Sequence, residues 1–388
     1  MSIKILYDDG GFGETHGGVS RYFTEMIKRL PDGFEWKLGM VGTSNVYLQK
    51  PPFNLPPHKQ TVQDFIRDTM HGHSFRGVSH VYKVLAYIMP RRFQSGEMAN
   101  RNALAEAYKH ADFDVLHLTH PHPVNNVWRD IVGRKPIVVT VHDLIPEMFQ
   151  SSRRVAFCRR QLLNVASHII AVSENTKKDI IRLYGVAQEK ISVIYHGFMP
   201  VPSHAESCDK PDRPYILYVG KRKDYKNFEF LVRAIRPLLK TDAVMLLCTG
   251  SAFTPTECAF LKRLGVEKSV VQRFVTDDEM PGLFSGAACF VYPSLYEGFG
   301  IPILDAFSAG CPVVLSRCSC FPEVAGDAAL YFDDGDGATL CSNIETLLYD
   351  SSIRELMIEK GRNRLIEYSW DKCAQETAQV YRMVANKQ

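Results

Sequence analysis

Long apolar runs are missing from this 388-residue chain. None reaches the ~18–20 residues that a bilayer-spanning helix needs, so no such helix is expected. A charge excess of one sign is missing too. Lys+Arg number 46 and Asp+Glu 43, which leaves +3 and argues against nucleic-acid binding by bulk charge. Paired cysteines are absent. Of the ten cysteines, Cys318 and Cys320 are one residue too close for CxxC, and no second pair completes a tetrahedral metal set. Cys248 and Cys289 lie in apolar, strand-like runs, and residues 3–7 read as a first strand and not as a secretory leader. Reduced thiols in a cytosolic protein follow from that pattern. Low-complexity tracts and internal repeats are also lacking. With 45% hydrophobic and 23% charged residues, a wholly disordered or fibrous chain is excluded.

What is present is an alternation of strand and helix signals, the mark of an α/β protein. Residues 3–7 form a strand, and a glycine-rich loop follows from Gly10 to Gly18. Val19, Tyr22, Phe23, Met26, Ile27 and Leu30 recur at helical spacing until Pro31 and Gly33 stop the helix. Further buried strands are expected at 115–118, 137–141 and 168–172, with Ser173 as the N-cap of a helix running to about Tyr184. Residues 198–214 are rich in proline and polar side chains and read as a linker. The pattern then restarts, with strands at 215–219, 243–248, 289–292 and 313–315. The length suits two or three domains. The division expected is 1–197, a linker at 198–214, a second unit at 215–368 and a last helix at 369–388. Residues 51–110 fit neither half and read as a basic and aromatic insertion. Charge is uneven, +7 over residues 1–200 and −4 over the rest.

The strongest motif runs from Tyr292 through Glu297, Gly298, Phe299, Gly300, Ile301 and Pro302 to Asp305. A buried strand ends, a glycine-rich turn carries a carboxylate, and a helix opens with proline in its first turn. Free N–H groups at Gly300 and Ile301 would face an anion there. Gly310 suits the C′ position of that helix. This stretch resembles glycosyltransferase family 4, whose mark is a Glu, seven residues and a second Glu. Here the second carboxylate is Asp305. The resemblance extends over Gly17–Phe23, Thr140–Leu144, Ala171–Thr176, Tyr195–Gly197, Tyr218–Phe228, Phe321–Ala329 and Tyr368–Trp370.

The resemblance implies a GT-B fold, two Rossmann-like α/β domains facing across a cleft, with the last helix crossing back onto the first domain. It implies transfer of a sugar from a nucleotide-diphosphate donor, GDP- or UDP-linked, to a hydroxyl of a glycan or lipid-linked acceptor, with retention of configuration. Bacterial cell-surface polysaccharide synthesis, with mannosyltransferases among the relatives, is the implied setting. Arg222 and Lys226 would stabilise the leaving diphosphate, since fixed cations lower the barrier to its departure. Glu297 and His142 would orient the donor sugar, and Asp305 would accept from the ribose diol or stand as a solvated helix residue. Gly220, Asn227, Gly298, Phe299, Gly300 and Ile301 would shape the donor site. Gly17, Gly18, Ser20 and Arg21 would form the acceptor and diphosphate loop. No cofactor and no metal are expected.

Several rival readings stay open. Gly11-Phe12-Gly13-Glu14-Thr15-His16 is neither a dinucleotide fingerprint nor a P-loop. Asp112-Phe113-Asp114 and Asp334-Gly335-Asp336 are D-x-D strings whose positions suit structural roles. His117, His120 and His122 suit acceptor-cleft polarity better than metal. An epimerase on the same fold, or a degenerate protein that binds a sugar nucleotide and turns over poorly, are the functional alternatives. The phosphorylases of that fold are much longer and carry a pyridoxal lysine motif that the chain lacks. Arg76, Lys83, Arg91, Arg92, Arg101 and Lys109, with Arg153, Arg154, Arg159 and Arg160, form basic clusters among aromatics. They suit peripheral contact with an anionic leaflet on the cytoplasmic side.

Overall fold

A computed structural model describes residues 2–58, 96–120, 129, 131–149, 153–201, 211–222, 224–241 and 243–386. The side chains of residues 96–98 and 224 lie outside this description, as does the expected helical segment at 75–88. Twelve strands among the described residues form two six-stranded, wholly parallel sheets. The first contains β1 (Ile3–Tyr7), β2 (Phe34–Leu38), β3 (Val115–Leu118), β4 (Ile137–Val141), β5 (His168–Ala171) and β6 (Ile191–Val193), in the order β2-β1-β3-β4-β5-β6. The second contains β7 (Tyr215–Tyr218), β8 (Met245–Thr249), β9 (Val270–Arg273), β10 (Cys289–Tyr292), β11 (Val313–Ser316) and β12 (Ala329–Phe332), in the order β12-β11-β10-β7-β8-β9.

Helices of the first half are α1 (Gly18–Lys28), α2 (Gly96–His110), α3 (Ile145–Phe149), α4 (Arg153–Val165) and α5 (Glu174–Tyr184). The second half has α6 (Phe228–Ala234), α7 (Arg236–Lys240), α8 (Pro255–Leu264), α9 (Met280–Gly286), α10 (Ile301–Ser308), α11 (Phe321–Ala325), α12 (Gly337–Tyr349), α13 (Ser351–Arg364) and α14 (Trp370–Ala385).

Parallel strands buried on both faces read as continuous apolar runs, and β3, β4, β5, β7, β10 and β11 are buried throughout. These six, with β1 and β8, are the strands the sequence announces. Four others are not in that reading: β2, β6, β9 and β12. Each stands at a sheet edge and is only partly buried; polar residues break the apolar run in β2, β6 and β9, while β12 is apolar throughout and still absent from that reading. The insertion expected at 51–110 also needs correction at its end. Leu104 and Tyr108 of α2 pack with Phe113 in the core of the first sheet, so this stretch is the crossover from β2 to β3.

Caps fall where the local chemistry asks for them. The Ser173 hydroxyl accepts from Thr176 N–H at 3.0 Å, and Gly185 closes α5 in the left-handed region. Pro302 lies in the first turn of α10, and Gly310 follows its end with φ +68°.

The last helix belongs physically to the first domain. Trp370, Cys373, Val380, Tyr381 and Val384 of α14 are buried with Tyr7, Tyr22 and Phe23. The seam is so close that a Cβ on Gly197 would lie 2.1 Å from Trp370 N. A buried polar chain ties the helix down. The Tyr7 and Tyr381 hydroxyls lie 2.8 Å apart, Tyr381 meets His117 Nδ1 at 2.5 Å, and His117 Nε2 meets Thr140 at 2.8 Å. All four groups are fully buried, so each bond avoids the desolvation cost of an unpaired group, about 1–3 kcal/mol.

Candidate active site

In open parallel sheets, ligands bind beyond the strand C-termini where the strand order reverses. In the second sheet that reversal lies between β7 and β10. The loops leaving those two strands carry Lys226 and Glu297. The Lys226 ammonium donates to Glu297 Oε1 at 2.5 Å and to the Tyr292 hydroxyl at 3.2 Å. The rings of Tyr292 and Tyr225 flank it, with centroids 5.1 and 5.3 Å away. The pair is nearly buried, at 12% and 10% side-chain exposure, so its charges act in a low-dielectric pocket.

The loop bearing Glu297 is held from behind. Its carbonyl accepts from Ser319 Oγ at 2.5 Å and Cys320 Sγ at 3.3 Å. Gly298 then presses against the first domain. A Cβ there would stand 1.6 Å from the His142 carbonyl oxygen, which no side chain tolerates. The Gly298 carbonyl accepts from Ser173 Oγ at 2.7 Å. Glu323 of α11 reaches the start of α5, accepting from the N–H groups of Glu174 and Asn175 at 2.6 and 3.1 Å. Tyr296 donates to Asp179 at 2.9 Å. The two domains therefore meet along one continuous seam beside Glu297.

His142 follows β4 and is 7% exposed. Neither ring nitrogen has a hydrogen-bond partner, and the ring lies edge-on to Tyr22 and Phe23 at 5.0 and 5.5 Å. Burial holds its pKa well below the usual range, so it is neutral near pH 7. His196 is a second buried histidine whose nitrogens lack partners. It stacks on Phe299 at 4.4 Å and on Trp370 at 5.9 Å, and burial pushes its pKa down to about 3.

The Arg21 guanidinium of α1 grips both oxygens of Asp305 on α10, at 2.9 and 3.0 Å. Gly18 makes this approach possible, since a Cβ there would already sit 3.3 Å from Ile301 Cδ1. Gly300, with φ +92°, turns the chain into α10, and Gly220 and Asn227, with φ +120° and +55°, bound the Lys226 loop. Gly17 is extended, and Ser20 bonds the Gly11 carbonyl at 3.0 Å, which keeps its hydroxyl inside its own loop.

Comparison with known proteins places this geometry. Residues 16–200 match the profile described as Glycosyltransferase Family 4, and residues 213–350 match Glycosyl transferases group 1. An O-antigen chain mannosyltransferase B of Escherichia coli is 30% identical over 64% of this chain and 70% of its own length. The chain belongs to glycosyltransferase family 4. Another relative, the O-antigen chain mannosyltransferase RfbU of Salmonella typhimurium, is 27% identical over 61% of this chain and 67% of its own. Among solved structures, Anabaena HepE in complex with UDP and glucose aligns with a TM-score of 0.71 at 19% identity, covering 97% of this chain and 99% of that one. Sucrose-phosphate synthase from Thermosynechococcus elongatus aligns at 0.70 over both full lengths, with 19% identity. The fold is GT-B, and the activity is that of a glycosyltransferase.

Within this family 4 enzyme, several residues stand elsewhere than the sequence suggests. Arg222 shares none of Lys226's hydrogen-bond partners. Its side chain is 4% exposed, donates to Glu257 at 2.7 Å and to the Ser251 and Ala252 carbonyls at 2.7 and 3.1 Å, and lies over the Phe253 ring at 4.7 Å. Two of its three nitrogens have acceptors there, and the Phe253 ring covers the guanidinium face. Its neighbour Lys221, 66% exposed, is the residue that crosses the cleft, meeting Glu14 at 2.8 Å. Sequence reasoning missed Lys221 because Lys221-Arg222-Lys223 offers three cations in a row, and only packing decides which faces the cleft.

His117 is not cleft polarity but part of the buried chain under α14, and His122 lies outside the described residues. Asp112 and Asp114 tie down Lys4, through its ammonium at 2.7 Å and its N–H at 2.9 Å, and Asp336 caps α12. Arg159 leaves the basic cluster. It is 1% exposed and donates to the Asp143 carbonyl at 2.7 Å and to Glu147 at 3.1 Å. Asp8, also unremarked in the sequence, is buried at the end of β1, where it accepts from Thr119 N–H at 2.6 Å. Burial pushes its pKa up to about 7.

Proposed function

We propose that the enzyme moves a hexosyl group, mannose in the first instance, from a nucleotide-diphosphate donor to a hydroxyl of a glycan or lipid-linked acceptor during surface-polysaccharide assembly. The transfer retains configuration and uses no metal. The observation that carries this reading is the Lys226–Glu297 pair at the strand-order reversal, with Lys221 at the rim. Lys226 stabilises charge that gathers on the leaving diphosphate, and Glu297 is then released to the hydroxyls of the donor sugar. Neutral His142 supports the sugar from the facing domain. The O-antigen relatives favour a mannosyl donor, and the UDP-bound neighbour keeps uridine donors in view.

Incubation with GDP-mannose and a panel of UDP-sugars in EDTA, with the product anomer read by NMR, tests this. Transfer in EDTA with the donor's anomeric configuration kept is expected. Inversion, or strict dependence on added divalent ion, overturns it. For the acceptor side, Arg153, Arg154, Phe157 and Arg160 share the exposed face of α4, a surface suited to an anionic leaflet. Co-sedimentation with liposomes that rises with anionic lipid supports that contact, and indifference to it refutes it.

A further inference from the structure

The Asp305 position raises a physical problem. Aspartate is one methylene shorter than glutamate, so its carboxylate reaches roughly 1.5 Å less far from the helix. With less reach, the carboxylate depends more heavily on what fixes where its oxygens stand. In this protein that is done from the other domain. Arg21 lies one turn into α1 and Asp305 one turn into α10, and the first turns of the two helices are in contact at Gly18 and Ile301. The guanidinium fork holds both oxygens, at 2.9 and 3.0 Å, with each side chain 23% exposed. A fork-on-fork pair fixes the carboxylate plane as a single hydrogen bond cannot. It also leaves lone pairs on both oxygens unused, since a carboxylate offers about four acceptor sites and the fork takes two. A second cross-cleft contact stands close by. The Tyr47 hydroxyl donates to Asp277 in the loop before α9, and Arg21 lies within electrostatic reach of both.

We propose that Arg21 is a positioning residue for donor recognition: it holds the Asp305 carboxylate so that the free lone pairs accept from the ribose diol of the donor nucleotide. This rests on the sugar-nucleotide reading above. It makes ribose recognition a property of both domains, since the first domain supplies the group that aims the carboxylate. Arg21 itself touches no ribose oxygen in this scheme. Its loss acts only through Asp305.

The test compares UDP with 2′,3′-dideoxy-UDP, and GDP with its dideoxy analogue, by isothermal titration on the full chain. In the wild type the diol form is expected to bind about tenfold or more tighter, as hydrogen bonds to a charged acceptor dictate. In Arg21→Met the ratio should fall toward one, as it should in Asp305→Asn, and the double variant should lose nothing further. Arg21→Lys keeps the charge but not the fork and should give an intermediate ratio. It also serves if Arg21→Met fails to fold, as circular dichroism will show. An unchanged ratio in Arg21→Met or Arg21→Lys overturns the inference and leaves the function standing. So does a rise in affinity for the diol form, which would make the pair a rival of ribose. No ratio in a wild type that binds nucleotide overturns it as well. A wild type that binds neither UDP nor GDP overturns the proposed function together with the inference.

Discussion

Three of the four histidines buried among the described residues, His117, His142 and His196, are held in the neutral state, and they make the fold acid-sensitive. His117 and His196 have pKa values pushed down to about 3, and His142 lies well below its ordinary value, all through loss of solvation. Unfolded, each titrates near 6.5. Below that pH the unfolded chain binds protons that the native chain refuses, so stability present above pH 6.5 is lost as pH falls. Asp8 opposes this. Its native pKa of about 7 lies above the unfolded value of 3.8, so between those values the native state holds one proton more. From these four groups the net is about two protons taken up on unfolding near pH 5.5, a contribution of ~2.7 kcal/mol per pH unit.

The variant that isolates one term is His196→Phe. It removes a titrating ring that stacks on Phe299 and Trp370 and has no hydrogen-bond partner to lose. The slope should drop by ~1.4 kcal/mol per pH unit. Stability at pH 7 should rise by ~1 kcal/mol, because two unpaired buried nitrogens are gone. Urea unfolding followed by circular dichroism from pH 7 to pH 5 measures both. A variant with the wild-type slope would refute the reasoning, since it would mean that His196 is solvated or already charged in the native state.

The remaining predictions concern the cleft and the seam. Gly298→Ala should cut kcat/KM by ~100-fold or more with secondary structure intact, because its Cβ would collide with backbone at His142, and such overpacking costs ~1–3 kcal/mol even where side chains can yield. Steady-state kinetics beside far-UV circular dichroism checks it, and activity within a few-fold of wild type argues against the closed seam. Lys226→Met should lower kcat by ~100–1,000-fold, as loss of a preorganised charge stabiliser does. Arg222→Met should instead act on stability, costing ~1 kcal/mol by removing the ion pair to Glu257, which keeps its capping bond from Thr254 N–H, with a much smaller effect on kcat. Equal kinetic damage in the two would restore Arg222 to the diphosphate site. Tyr381→Phe should destabilise by ~1–3 kcal/mol in thermal melts, since it breaks the chain from Tyr7 to His117.

Much of the architecture is readable locally. A strand buried on both faces must be apolar along its length, so β3, β4 and β10 declare themselves. The weaker β2, β6 and β9 do not, because partial burial lets polar residues in and their identity comes from the neighbour they pair with. The Glu297 loop is legible because turn chemistry is local: glycines where φ is positive or backbone presses on backbone, and proline in the first turn of a helix.

Other decisions were made across long stretches of chain. Arg21 and Asp305 are 284 residues apart, and nothing in either neighbourhood names the other. Whether Lys221 or Arg222 faces the cleft depended on Phe253 and Glu257 being behind the loop to take up the guanidinium. The uneven charge, +7 in the first half and −4 in the second, is fixed by composition. Which cations are usable is not. The Arg159 and Arg222 side chains are buried and held by partners in their own domains, while Lys221 and the outer arginines of α4 remain at the surface. Periodicity and turn residues determine elements because their physics spans a few bonds. The pairing of side chains across the cleft waits on how two sheets pack, and only the folded chain supplies that.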